Sequence, residues 1–160
     1  MTLDLVPVAI PENANVIIGQ SHFIKTVEDL YEIVVTSVPQ AAFGIAFNEA
    51  SGACLTRVDG NDEPMRAAAI DAALAIGAGH TFVLFMRNAY PINVLNRIKD
   101  CPEVCRIFCA TANPVEVIVA ETEPGRGVMG VIDGASPLGV EGEDGVAWRH
   151  GLLRAIGYKL

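Results

Sequence analysis

Residues 80–87 constrain this chain more than any other segment. Between His80 and Arg87 lies Thr-Phe-Val-Leu-Phe-Met, an unbroken run in which only the threonine is polar. A strand with one wet face alternates apolar and polar residues. A continuous run of β-forming residues is instead expected for a central strand buried on both faces. Whatever fold the chain adopts must cover that strand from two sides.

The surrounding segments indicate what supplies the cover. Residues 3–10 and 15–20 alternate weakly, are rich in Val and Ile, and flank Pro11 and Asn13, which predicts a first hairpin. Thr26 is placed as an N-cap ahead of Glu28 and Asp29. Val27, Leu30, Tyr31 and Val34 then fall at helical spacing until Pro39. Residues 41–50 and 54–58 flank Ser51-Gly52 as a second hairpin. Asp62-Glu63-Pro64 opens an alanine-rich helix that stops near Gly77 and Gly79, with acids at its positive end and proline in its first turn. Beyond the apolar strand, the pattern predicts a short helix over 91–99 and strands over 105–111, 115–121 and 128–132. A closing helix is expected over 144–156. The order ββ-α-ββ-α-β-α-βββ-α contains more hairpins than βαβ units. The expected fold is therefore α+β, one domain over residues 1–160, with a mixed, largely antiparallel sheet and about four helices.

Charge and length exclude several function classes. The chain has 160 residues, 19 Asp plus Glu against 11 Lys plus Arg, and a net charge of -8. A duplex-wide phosphate footprint needs a basic stripe, so nucleic acid is not an expected partner. The longest stretch without a polar side chain, residues 72–79, is far short of the roughly 20 residues of a spanning helix, so no membrane partner is expected. Met1-Thr2-Leu3-Asp4 places an acid where an export signal needs a basic region, which predicts a cytoplasmic location. An acidic balance still permits a small anionic ligand, because a few arginines can converge locally.

Cys54, Cys101, Cys105 and Cys109 include three at every fourth position. C-x-x-x-C-x-x-x-C lacks the spacing of zinc or iron–sulfur sites, and no metal ligand is assigned. Evenly spaced cysteines in a β-rich segment are expected to share one strand face.

Three constellations can carry chemistry. The first, residues 19–29, runs Gly-Gln-Ser-His-Phe-Ile-Lys-Thr-Val-Glu-Asp and joins a strand end to a helix start, a place where free N–H groups and the helix dipole suit a phosphate. Within it, His22 is a base or nucleophile toward a phosphoryl group, Lys25 a charge-balancing cation and Ser21 a neighbouring ligand. The second spans Gly77-Ala-Gly-His80 and, past the apolar strand, Arg87, Asn93 and Asn96. Asn93 and Asn96 offer donors and acceptors to a purine edge or ribose, and Arg87 offers a partner for an anion. The third is a glycine-dense region, residues 125–145, expected as a solvent-facing loop or lid. There Gly125 and Gly127 bracket Arg126, and Asp133 is a further carboxylate. Its G-x-G-x-x-G spacing follows no strand-to-helix junction, so it is not read as a dinucleotide fingerprint.

The strings at residues 19–32, 89–96 (Ala-Tyr-Pro-Ile-Asn-Val-Leu-Asn), 111–120 (Thr-Ala-Asn-Pro-Val-Glu-Val-Ile-Val-Ala) and 127–139 (Gly-Val-Met-Gly-Val-Ile-Asp-Gly-Ala-Ser-Pro-Leu-Gly) together resemble the adenosine-specific kinase family, and the likeness runs to the final residues. The resemblance implies an α+β fold, adenosine or an adenine nucleotide as ligand, and a symmetric homo-oligomer, a trimer or a multiple of one. It also implies a phosphorylated histidine. That histidine matches His22 or His80, with His22 placed first for its neighbours Ser21 and Lys25. His150, in the closing helix, is the weakest match. ATP with Mg²⁺ is the expected cosubstrate. A non-catalytic oligomer that binds or senses adenine nucleotides is the alternative, since no phosphate loop of the conventional sugar kinases is present.

Overall fold

Thr81–Arg87 forms the middle strand of a five-stranded sheet, and its first six residues are buried. The structure is a computed structural model that describes Met1–Leu160. In chain order its elements are β1 (Thr2–Val8), β2 (Asn15–Ser21), α1 (Thr26–Ser37), β3 (Ala42–Asn48), β4 (Thr56–Gly60) and α2 (Glu63–Ile76). These are followed by β5 (Thr81–Arg87), α3 (Pro91–Lys99), β6 (Val104–Thr111), β7 (Val115–Thr122), β8 (Gly125–Asp133) and α4 (Glu143–Ala155). The large sheet runs β4-β3-β5-β2-β6 and the small one β1-β7-β8, with every strand pairing antiparallel. The fold is α+β, as expected.

The side chains of β5 divide by parity. Phe82, Leu84 and Met86 enter one apolar cluster with Ile17, Ile45 and residues of α1 and α3, among them Leu30, Val34, Val94 and Ile98. Val83 and Phe85 enter the other with Ile18, Ala46, residues of α2, and Val115, Val117 and Val119 of the small sheet. The large sheet is thus covered by α1 and α3 on one face and by α2 with the small sheet on the other. This double cover is what the apolar run demanded.

Local chemistry sets the helix limits. Asp62 Oδ2 accepts from the Met65 N–H at 3.1 Å and caps α2, with proline in the first turn. The helix ends on Gly77 at φ 63°, a left-handed turn that places the next residues under the end of the large sheet.

Four expectations need correction. Residues 3–10 and 15–20 do not pair with each other: β1 joins β7 in the small sheet, while β2 lies between β5 and β6. The hydrophobic pattern of β1 suits either sheet, and partner choice is non-local. Thr26 is the first residue of α1 rather than its cap. It is buried, and its hydroxyl donates to the Phe23 carbonyl at 2.5 Å. The glycine-dense segment is a loop only after Asp133: its first nine residues are strand β8, because pairing with β7 satisfies their backbone. Finally, register shifts in the β2–β6 pairing between Ile18 and Gly19 and between Gln20 and Ser21 break the parity of β6, so Cys109 is buried and Cys105 exposed.

No residue of α4 is buried, and no helix in the chain is long and apolar enough to cross a membrane.

β3 and α2 approach so closely at Gly44 that a Cβ there would run into the backbone of Met65 and Arg66, whereas nothing lies within 4 Å of a Cβ built at Gly127. Gly44→Ala should lower unfolding stability by about 1–3 kcal/mol, the usual cost of overpacking against groups that cannot yield. Gly127→Ala should change it little; urea denaturation of both variants checks the pair.

Candidate functional site

Four strands of the large sheet end together at one edge: β2 and β3 close there, on Ser21 and Asn48, while β5 and β6 open there, on Thr81 and Val104. Backbone pairing continues one residue past the strands. The Ser21 N–H donates to the His80 carbonyl at 2.9 Å, the His80 N–H to the Asn48 carbonyl at 2.7 Å, and the His22 N–H to the Glu103 carbonyl at 2.7 Å. These bonds bring the two histidines together, ring centroids 6.3 Å apart and edge to face.

The two imidazoles have different settings. His80 is half-buried and stacks on Phe47, centroids 5.8 Å apart with planes at 19°. Its backbone is left-handed at φ 61°, a conformation that costs a non-glycine residue of order 1 kcal/mol and is concentrated at functional sites. His22 is exposed and free to meet a ligand.

Asn48 carries the turn beneath them. Its Nδ2 donates to the carbonyls of Ala73 at 2.8 Å and Ala78 at 3.1 Å, and its Oδ1 accepts from the Thr56 hydroxyl at 2.8 Å. The end of α2, the turn before β5 and the start of β4 are therefore tied to one buried amide. Nothing in the sequence marked Asn48 beyond its position, a polar residue at the end of an apolar run.

The segment between His22 and α1 offers donors. The amides of Ile24, Lys25 and Val27 donate to no carbonyl of the chain, and they lie at the positive end of α1. Ser21 is fully buried, its hydroxyl lying against that of Thr26 and donating to the Glu103 carbonyl at 3.1 Å, so it supports the segment from inside. Lys25 is half-exposed and pairs with Asp29, and its Nζ is 3.8 Å from Glu103 Oε2. Asp29, Cys101 and Glu103 are the one set of three metal-ligating side chains whose donor atoms converge, within 4.8 Å of one another, and the Lys25 ammonium already stands against that set.

A cleft of about 670 Å³ opens beside His80, between the two sheets. That is the size range of small-molecule sites. Gly77 and Gly79 form one wall and Gly125, Arg126 and Gly127 the facing one, with Glu49 and Cys54 at the rim. A bridge between Ala78 and Arg126 joins the walls. The Arg126 guanidinium is engaged within the protein: Nη1 donates to the Ala75 carbonyl at 3.1 Å, Nη2 is 3.3 Å from Asp4 Oδ2, and Nε is 3.4 Å from Glu121 Oε2. It thereby holds β1, β7 and the end of α2 around the cleft.

The remaining sequence-predicted residues lie elsewhere. Arg87 is at the far end of β5, roughly 20 Å from His80 at ~3.3 Å per residue, and its Nε donates to the Glu12 carbonyl at 2.9 Å. Asn93 caps α3, its Oδ1 accepting the Tyr90 N–H at 2.8 Å, while Asn96 is exposed on the same helix. Asp133 ends β8, opposite to Arg126, and accepts from Asn113 Nδ2 at 3.2 Å. The structure brings together Ser21, His22, Lys25, His80, Gly125, Arg126 and Gly127 at one edge; it does not bring Arg87, Asn93, Asn96 or Asp133 to them.

A family model described as adenosine specific kinase matches residues 6–159. No curated protein matches the chain. Among solved structures, the crystal structure of the PH1918 protein from Pyrococcus horikoshii OT3 superposes with a TM-score of 0.95 at 48% sequence identity, over 99% of this chain and 98% of that one.

The buried amide of Asn48 yields a stability prediction. Asn48→Ala leaves two carbonyls and one hydroxyl without that partner and should cost about 1–3 kcal/mol. The loss should appear in chemical denaturation together with faster amide exchange at His80, whose partner strand end it loosens.

Proposed function

The chain belongs to the adenosine-specific kinase family, and from that membership we propose that it binds adenosine or an adenine nucleotide in the cleft beside His80 and transfers a phosphoryl group through His22. The observation that carries this reading is the convergence, at one sheet edge, of two edge-to-face imidazoles with unpaired amides and an ammonium.

Each residue has a role that its setting supports. His22, exposed and anchored only through its backbone, is the acceptor. Its neutral ring attacks the γ-phosphorus of ATP, the bond to the leaving ADP oxygen breaks, and phosphohistidine results. The free amides of Ile24, Lys25 and Val27, with the dipole of α1, face the charge that gathers on the equatorial oxygens. Lys25 moves from Asp29 toward the same oxygens. His80, fixed by Phe47 and a left-handed backbone, orients the ligand in the cleft. The glycines of both walls let a ribose or phosphate approach the main chain. ATP arrives as its Mg²⁺ complex, the ion being part of the substrate. A nucleoside hydroxyl then attacks the phosphorus, the P–N bond to His22 breaks, and the hydroxyl proton passes to the released imidazole.

The alternative, a binding or sensing protein without turnover, is favoured by one feature. Lys25 and Arg126 both hold carboxylates of the chain, so neither cation stands free for a phosphate until something displaces its partner.

Oligomerisation belongs to the same proposal. Val146, Trp148 and Leu152 of the closing helix and Ile156 at its C-cap are 40–68% exposed, an apolar surface that a second copy of the chain would cover.

Incubation with γ-labelled ATP should give acid-labile, base-stable label that His22→Asn abolishes; label that survives this substitution removes His22 from the role. Adenosine binding by calorimetry with no label in wild type selects the sensing alternative. In sedimentation velocity the protein should run as an oligomer and Trp148→Glu as a smaller species, whereas a monomeric wild type ends the assembly proposal.

A further inference from the structure

Glu103 is the one charged residue in the buried set. It precedes β6 in the turn after α3, its side chain is 5% exposed, and its Oε1 has no hydrogen-bond partner. Its Oε2 lies 3.8 Å from the Lys25 ammonium, which also pairs with Asp29, one turn into α1. Donor atoms of Asp29 and Glu103 lie within 4.8 Å of each other. Two carboxylates against one ammonium leave an uncompensated negative charge in a buried place, and like charges that share such a site do not both ionise. One proton between the two carboxyls removes the surplus.

The main chain of the same residue faces the histidine. The Glu103 carbonyl accepts from the His22 N–H at 2.7 Å and from the Ser21 hydroxyl at 3.1 Å. Both ends of the His22–Lys25 segment are thus referred to one residue, in the turn before β6.

We propose that Glu103 is a positioning residue: its carboxyl group carries a proton donated to Asp29, and the pair, bearing a single negative charge, holds Lys25 loosely enough to turn to a phosphoryl group at His22. The consequence for transfer rests on the function proposed above; the shared proton does not. A phosphoryl group carries close to two charges and outweighs one; against two ionised carboxylates Lys25 would stay.

Burial pushes the Glu103 carboxyl above the usual glutamate range, and its contact with Asp29 adds to this. The hydrogen bond from Glu103, then the one from Lys25, holds Asp29 below the usual aspartate range. Cys101, raised to about 11 by burial and then by the two carboxylates, stays a thiol near neutrality. Asp100 faces Cys101, and Glu32 and Arg97 line the outer side of the same cleft with Asp29. With a raised folded-state pKa, Glu103 contributes stability below the ordinary glutamate range, and this is lost as pH rises through its folded value. Asp29 does the reverse, and its contribution disappears only in acid.

The test compares wild type with Glu103→Gln, whose amide N–H replaces the shared proton, and Glu103→Leu, which has no donor. Infrared spectra at neutral pH should show a protonated-carboxyl band in wild type that Glu103→Gln lacks. Melting temperature should decline with rising pH in wild type, and Glu103→Gln should lack that decline while keeping wild-type-like stability at neutral pH. Labelling of His22 should be near wild type in Glu103→Gln and about tenfold lower in Glu103→Leu, the loss of one hydrogen bond to a charged group. Absence of the band, or identical pH profiles, overturns the proposal. So does a melting temperature that Zn²⁺ raises in wild type and not in Glu103→Gln, since a cation would then take the proton's place. If no variant takes label, the function proposed above fails, and the infrared and melting data still decide the shared proton.

Discussion

Burial of β5 on both faces is the constraint on which the rest depends. A strand with five consecutive apolar side chains, Phe82 to Met86, cannot be covered by one helix layer, so α1 and α3 occupy one face and α2 with the small sheet the other. Its neighbours are fixed by the same requirement: Ile17 and Ile45 flank Leu84 in one layer while Ile18 and Ala46 flank Val83 in the other. A slip of one residue in either register would send an apolar row to the wrong layer. Once these registers are set, the ends of β2 and β3 and the starts of β5 and β6 have no choice but to meet.

That meeting point is where polar chemistry collects. No charged side chain is buried within the strands of the sheet; at its edge the ladder stops, and backbone donors and acceptors must find other partners. Asn48, Ser21, Thr26 and Glu103, four of the five buried polar residues, serve that end of the sheet. Their hydrogen bonds hold the segments that display His22 and His80, so the rigid interior and the two imidazoles are two parts of one arrangement. The net charge of -8 gives no hint of this, because the cations near the site are each held by carboxylates of the chain.

Family membership suggests a nucleoside ligand or a kinase-like function, which geometry alone would not name. What the fold contributes is the division of labour between the two sheets. The large sheet supplies the histidines, and the small one, through β8 and Arg126, closes the cleft beside them. The same division separates the far end of the molecule, where Arg87, Asn93 and Asp133 make local bonds to the Glu12 carbonyl, the Tyr90 amide and Asn113.

Much was legible in the sequence by itself. The apolar run determined a doubly covered central strand; Asp62, Pro64 and Gly77 determined the limits of α2; the order of elements determined an α+β fold. His22, Lys25 and Ser21 are neighbours in the chain, so local spacing sufficed to group them. Tertiary structure decided what depends on partners distant in sequence. β1 left β2 for β7, since its alternation fits either sheet and only packing discriminates. His80 joined His22 because antiparallel register aligned the start of β5 with the end of β2. Arg87 and Asn93, as polar as His80 in the sequence, went to the opposite edge because a seven-residue strand has two ends. Glu103 was invisible because burial of a charge has no local signature: whether a glutamate meets water or an aspartate is settled only when α1 and β6 come together.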